Sequence, residues 1–160
     1  QTQFGVDDGL NGVSVQVAEI SELARVLKQG APGTPWQPNS NPLDLSDHSI
    51  KNEYTTNLTD EVLLWKYDVT TETASAKADG VFQYYNMNEL SVSRTYDEQN
   101  HLVIEYTDKM GKVVLKRVQA TSSQIPIDHV NYASTYYIYD DFGNLVIVLP
   151  PEAVKQLSGN

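Results

Sequence analysis

The chain has 160 residues, of which 21 are acidic and 11 are basic, so its formal net charge at neutral pH is −10. This length suits one ordinary domain, and a strongly acidic surface repels phosphate groups, which argues against nucleic-acid binding and against docking on anionic membranes. Cysteine is absent, which excludes disulfides, thiolate nucleophiles and cysteine-ligated zinc.

Residues 1–12 are polar, contain Gly9 and Gly12, and predict a flexible start ahead of a single β-rich domain over residues 13–160. The chain opens with neither Met nor the basic and apolar regions of a signal peptide. We therefore expect it to be a segment of a longer polypeptide. No apolar run approaches the roughly 18–20 residues that a membrane-spanning helix needs, so membrane insertion is not expected.

The first predicted strand covers residues 13–18, where valine alternates with Ser14, Gln16 and Ala18. Residues 20–27 fit an extended segment or a helical turn equally well. Residues 29–47 predict a long loop, because they hold four of the seven prolines and proline cannot donate to a ladder. Trp36 lies in the middle of this loop, where it either pins the loop to the core or offers a platform for a ligand.

Residues 49–56 and 61–69 alternate in the manner of strands, and the short link between them predicts a hairpin. The second strand would turn its aromatic face, which includes Trp65, toward the core; Trp65 is the second candidate ligand platform. Residues 70–80 are small and polar and predict a solvated loop.

The second half of the chain has the clearest alternation. It predicts a three-strand antiparallel meander over residues 89–117, a loop over residues 120–134, and a hairpin over residues 135–149. A short helix is expected from Pro151, because proline is tolerated in the first turn and Glu152 suits the positive helix end. Helix is otherwise minimal, and the fold class is predicted to be all-β.

One unit recurs in this half: a tyrosine, an aspartate, a turn with Gly or Asn, and an apolar strand. Asp, Asn and Gly favour such turns, since all three tolerate a left-handed backbone and Asp bonds to its own backbone. The residues that define the unit are Tyr96, Asp97, Tyr106, Asp108, Gly111, Tyr139, Asp140, Gly143, Asn144 and Leu145.

This unit resembles the tyrosine–aspartate (YD) repeat of Rhs proteins. The ordered series RVLKQGAPG, HSIKNEYTTN, EYTDKMGKVVLKR and YYIYDDFGNLVIVLPPE, between about residues 19 and 157, resembles the Rhs-like surface proteins of Bacteroidetes. The resemblance implies a secreted or cell-surface protein whose hairpins form a curved sheet, part of a β-shell that can enclose a C-terminal effector. A fragment of such a sheet has unpaired edges, so we expect self-association or an edge masked by a terminal segment.

No catalytic motif stands out, and we expect a non-catalytic structural module without cofactor or metal. The self-cleavage motif of Rhs proteins contains an Asp-Pro step, which this chain lacks. Most aspartates fall at strand ends, where they form turns; calcium binding there and a glycosidase pair of carboxylates are the weaker alternatives. His48, His101 and His129 show no metal-binding spacing. The alternative function is a surface carbohydrate-binding or adhesive domain that uses Trp36, Trp65 and exposed tyrosines.

Overall fold

A computed structural model describes residues 12–41, 44, 46–128 and 130–158. In these residues it has twelve strands, all paired antiparallel where a register is defined, and one α-helix. The all-β prediction is confirmed. The flexible start expected over residues 1–12 lies outside the described residues, except for Gly12. His129 also lies outside them.

Eight strands form the main sheet, in the order β1-β2-β3-β8-β9-β10-β11-β12. Their bounds are β1 Val15–Ala18, β2 Val26–Gly30, β3 Ile50–Thr56, β8 Ser91–Tyr96, β9 Leu102–Thr107, β10 Val113–Gln119, β11 Tyr132–Tyr139 and β12 Leu145–Leu149. Two small ribbons pair β4 with β5 and β6 with β7; these strands are β4 Lys66–Asp68, β5 Thr73–Ser75, β6 Lys77–Ala78 and β7 Val81–Phe82.

The chain divides into two compact units. The first comprises the residues up to Glu53 together with Thr95–His101, and the second comprises Tyr54–Arg94 and the residues from Leu102 onward. Because β3 and β8 each contain residues of both units, the division falls within strands rather than between them.

In the first unit, the proline-rich loop folds back over β2. Residues 34–36 form a single 3-10 turn, with Pro35 in its first positions. Gly30 is buried, and a side chain there would collide with the Trp36 carbonyl and the Pro38 ring. Glycine is therefore required at the end of β2 for the loop to pack this closely.

In the second unit, the core lies against one face of β9, β10 and β11. Strand β11 alternates strictly between buried and half-buried residues, which is the pattern of a strand with one face on the core. Ile104, Tyr106, Leu115 and Ile138 are at most 1% exposed. The α-helix α1, Pro151–Ser158, packs against β11 and contributes buried Val154, so the helix predicted from Pro151 is confirmed.

The predicted hairpin over residues 49–69 is wrong. Strand β3 neighbours β2 and β8 in the sheet, and β4 pairs with β5 instead. The reason is Asn57: its backbone N–H donates to the Leu90 carbonyl at 3.2 Å, and its side-chain oxygen accepts from the Leu90 N–H at 2.8 Å. The chain after β3 is thus tied to the start of β8, and residues 58–89 form an excursion.

The predicted core face of residues 61–69, which carries Trp65, Tyr67 and Val69, is partly wrong. Trp65 and Tyr67 are half-buried, but Val69 is 73% exposed, and Val62 on the opposite face is fully buried. Residues 70–80, expected as a loop, contain β5 and β6. These strands have two or three residues each, too few for an alternation to be visible in the sequence.

No helix among the described residues is long and apolar enough to cross a membrane.

Candidate functional site

Three hairpin turns of the same construction follow Asp97, Asp108 and Asp140. In each, the aspartate N–H donates to the carbonyl four residues later, and its carbonyl accepts from the N–H three residues later. Its side-chain Oδ1 accepts from the N–H groups two and four residues later, at 2.8–3.0 Å. The residue three positions after the aspartate has positive φ, and it is Asn100, Gly111 or Gly143.

This geometry explains the residue types of the repeated unit. Only Gly, or a residue such as Asn, adopts the positive φ of the fourth position at low cost. The backbone donors need an acceptor, and the short Asp side chain reaches them. Hydrogen bonds from the Asn144 side chain and backbone lower the pKa of Asp140. Burial opposes ionisation of Asp97, but hydrogen bonds from His101 and Gln99 outweigh it and lower the pKa of this carboxyl.

The tyrosines of the unit occupy different environments. Tyr96 and Tyr139 directly precede their aspartates, whereas Tyr106 lies one residue further away. Tyr106 is fully buried, Tyr96 is buried and Tyr139 is half-buried. The Tyr139 hydroxyl donates to the Val113 carbonyl at 3.0 Å and so bridges β11 to the start of β10.

The turns after Asp108 and Asp140 lie at the same end of the sheet. The β9–β10 and β11–β12 hairpins are neighbours in the antiparallel sheet, and the chain passes from β10 to β11 at the opposite end. Beside them is a cavity of about 150 Å³, which we call the turn pocket. Both neighbouring hairpins have a register shift there, after Val113 and after Ile138. Such bulges redirect side chains. The polar and aromatic residues of the lining include Trp65, Tyr85, Asp108, Lys112, Tyr137 and Tyr139.

Charge and aromatic surface meet in the turn pocket. The Lys112 ammonium lies 5.3 Å from the Tyr139 ring centroid, a cation–π distance, and sits where a side chain at Gly143 would have to go. Burial and then the nearby Asp108 charge raise the pKa of Tyr85 to about 12, so this hydroxyl stays protonated. Burial, followed by Asp108, also raises the pKa of Tyr139. Asp140 completes the charged lining.

A different polar cluster lies in the first unit, and we call it the lysine network. The ammonium of buried Lys28 donates to Asn39 Oδ1 at 3.0 Å, the Asp44 carbonyl at 2.8 Å and Asp47 Oδ2 at 2.7 Å. Buried Lys51 donates to the carbonyls of Asp47 and Ser49 at 2.7 and 3.0 Å. Burial opposes ionisation of Asp47, but hydrogen bonds from Lys28 and Ser49 outweigh it and lower the pKa of this carboxyl.

The lysine network is structural. An ammonium has three donors, and the three on Lys28 are all used within the first unit. The network ties the proline-rich loop to β2 and β3. Trp36, the candidate platform in this loop, is 38% exposed and packs against His48 with ring centroids 5.5 Å apart.

A larger cavity of about 220 Å³ in the second unit is lined by Arg117, Asp128 and mostly apolar or aromatic residues. Two nitrogens of the Arg117 guanidinium are engaged, since they donate to the Tyr106 hydroxyl at 3.0 Å and to the Glu61 carbonyl at 3.1 Å; its Nε is buried without a partner among the described residues. Tyr106 in turn donates to Glu61 Oε1 at 2.6 Å. Burial and this carboxylate raise the pKa of Tyr106. The cluster joins the excursion to β9 and β10.

The structure therefore gathers part of the predicted site set in one place. Trp65, Asp108, Tyr139 and Asp140 line the turn pocket, while Trp36 and Asp97 belong to the first unit. Sequence reasoning missed Tyr85 and Lys112. Lys112 stands four residues after Asp108, at the position that Asn144 takes after Asp140, so the turn register could have found it; Tyr85 had no such signal.

Two other features of the described residues concern glycosylation and metal binding. Asn57, which begins a glycosylation sequon, is fully buried and its side-chain amide is bonded to the Asn86 carbonyl at 2.9 Å. Among the described residues, no three His, Asp or Glu side chains converge to hold a metal ion.

No family model matches the chain, and no curated protein or solved structure shows significant similarity to it.

Proposed function

We propose that the chain is a non-catalytic structural module of a larger secreted or cell-surface polypeptide of the Rhs type. Its hairpins add strands to a β-scaffold that can enclose a C-terminal effector. The observation that carries this proposal is the set of three turns after Asp97, Asp108 and Asp140, which share one hydrogen-bonding scheme. A unit that is repeated in both sequence and backbone geometry is what a protein extended by successive hairpins requires.

The use of the carboxylates supports this role. A glycosidase needs two carboxyl groups that face each other across a cleft and are available to the substrate. Here Oδ1 of each repeat aspartate is occupied by two backbone N–H groups of its own turn. Asp47 is likewise occupied by Lys28 and Ser49. These acids hold the backbone rather than act on a substrate.

Limited proteolysis of the full-length parent polypeptide, followed by mass spectrometry, tests the proposal. We expect one large resistant unit that contains this segment and protects a C-terminal piece. The isolated 160-residue chain, digested in parallel, is the control, and we expect cleavage in the exposed stretches of its excursion over residues 58–89, such as residues 68–73. Ready release of this segment from the parent as a compact independent fragment would overturn the proposal.

A further inference from the structure

We propose that the turn pocket binds a single neutral pyranose unit of a glycan. This site is independent of the scaffold role, since its geometry is complete within the second unit. A proteolysis result against the scaffold would leave the pocket unchanged, and an empty pocket would leave the scaffold proposal standing.

The turn pocket contains polar groups whose hydrogen-bonding capacity is not used. Within the described part of the chain, buried Trp65 Nε1 has no hydrogen-bond partner. This buried N–H costs free energy while it is unpaired and calls for a bound water or ligand. Asp108 is half-buried, and its Oδ1 serves the turn at Met110 and Lys112, which leaves its Oδ2 to accept from a ligand. The lysine network, whose donors are all filled, shows no such capacity.

The shape and surface of the pocket are the second argument. A volume of about 150 Å³ is well below the roughly 300–1,000 Å³ of sites for drug-sized ligands, so it suits one small ring. Trp65, Tyr85, Tyr137 and Tyr139 supply aromatic faces and edges. The C–H face of a pyranose packs on aromatic rings, while its hydroxyl groups both donate and accept hydrogen bonds. A sugar can therefore satisfy a carboxylate oxygen and an indole N–H at once.

The charge of the site selects among ligands. Asp108 and Asp140 place two carboxylates beside one ammonium, and the whole chain carries −10. Uronic and sialic acids are repelled by this field. A proline-rich peptide also stacks on Trp and Tyr, but it occupies an open groove and brings few hydrogen-bonding groups to each ring. It would leave the polar groups of the pocket unpaired, so a neutral sugar is favoured.

The test uses the two tryptophan indole N–H signals of the intact chain in a ¹H–¹⁵N correlation spectrum. The W36F variant assigns them, because the chain contains Trp36 and Trp65 only. Methyl glycosides of glucose, galactose, mannose and N-acetylglucosamine are titrated separately. We expect at least one of them to shift the Trp65 signal saturably while the Trp36 signal stays in place.

Two neighbouring tyrosines provide a matched pair of variants. Tyr85→Phe removes a hydroxyl from the turn pocket, and we expect about three- to tenfold weaker binding, the effect of one neutral hydrogen bond. Tyr84→Phe removes a hydroxyl next in sequence, from the wall of the larger cavity, and should bind as the unchanged protein does. The spectrum itself reports whether each variant is folded.

Three results would overturn the proposal. The first is the absence of any saturable Trp65 shift across the panel of neutral glycosides. The second is equal affinity in the Tyr85→Phe variant and the unchanged protein. The third is a saturable shift with methyl glucuronide or a proline-rich peptide that the neutral glycosides do not produce.

Discussion

At the scale of single residues, one aspartate oxygen organises each hairpin turn. Oδ1 of Asp97, Asp108 and Asp140 accepts two backbone N–H groups that would otherwise turn to solvent. Side chains that accept backbone hydrogen bonds in this way compete with the hydrogen-bond ladder between strands, and so the strand ends at the aspartate. The residues at the tips are free of this constraint: Met110 and Phe142 are 78% and 91% exposed.

Replacing Asp108 with alanine should therefore lower the free energy of unfolding by about 1–2 kcal/mol, since two backbone donors lose their acceptor. Asp108→Asn keeps an acceptor oxygen and should cost less. Lys109→Ala, at the exposed next residue, is the control and should stay within about 0.5 kcal/mol. Urea unfolding measures all three, and equal losses for the alanine variants at 108 and 109 would contradict this account.

Acid should destabilise the first unit through Asp47. Its pKa is lowered in the folded protein, so the folded value lies below the unfolded value of about 3.9. The stabilisation is complete above the unfolded value and disappears as the pH falls toward the folded one. Urea unfolding between pH 7 and pH 2.5 should show a smaller loss of stability in Asp47→Asn than in the unchanged protein. The exposed Asp141→Asn variant is the control and should lose as much stability on acidification as the unchanged protein. If Asp47→Asn also lost as much stability as the unchanged protein, the assignment to Asp47 would be refuted.

At the scale of elements, β12 is an edge strand that is open to a partner. It lies at one end of the sheet order, and its five residues carry no charge, proline or glycine. Val146 and Val148 are 38% and 47% exposed. An edge with these properties offers unpaired backbone groups to another strand. Of the features that usually protect natural edges, lysine, proline and a bulge, β12 has only the bulge beside Tyr139.

We therefore expect the chain to self-associate through β12. Val148→Lys should weaken this association about tenfold or more, because a charge enters an apolar contact. Val118→Lys is the matched control, since Val118 is 40% exposed but belongs to β10, an internal strand. Sedimentation velocity distinguishes the variants, and equal effects of the two lysines would show that association does not use the β12 edge.

The elements that could be predicted are those whose pattern is local. Strands β8 to β11 alternate over six to eight residues, β12 is an unbroken run of five apolar residues, and turns with recognisable chemistry follow Asp97, Asp108 and Asp140, so the sequence alone finds these strands. Their bounds are less exact: β11 begins at Tyr132, three residues before the predicted hairpin and inside the predicted loop over residues 120–134. The excursion over residues 58–89 could not be found this way. It depends on Asn57 reaching Leu90, and on strands of two or three residues, neither of which leaves a periodic signal.

The candidate sites also differ in whether their contacts are local in the sequence. The repeat aspartates are readable because their partners lie within four residues. Burial of Lys28 runs against the general exposure of lysine and depends on oxygens 11 to 19 residues away. The turn pocket is harder still, since Trp65, Tyr85 and Tyr139 come from three separate parts of the chain.

At the scale of the whole molecule, the net charge of −10 opposes the association that β12 favours. Copies of the chain repel one another, and salt screens this repulsion over a Debye length of about 10 Å at 0.1 M. We expect self-association to strengthen as sodium chloride rises from about 0.02 to 0.5 M. Sedimentation velocity at several salt concentrations measures it, and dissociation on adding salt would indicate an interface held by ion pairs instead.

The short reach of the aspartate turns also sets an order of folding. A hairpin closed over five residues loses little chain entropy, whereas the contacts of Glu61 with Tyr106 and Arg117 join residues 45 and 56 positions apart. The β9–β10 and β11–β12 hairpins should thus gain protection from amide exchange before the excursion docks. During synthesis on the ribosome, these hairpins would therefore form one after another, before the long-range contacts that join them to the excursion.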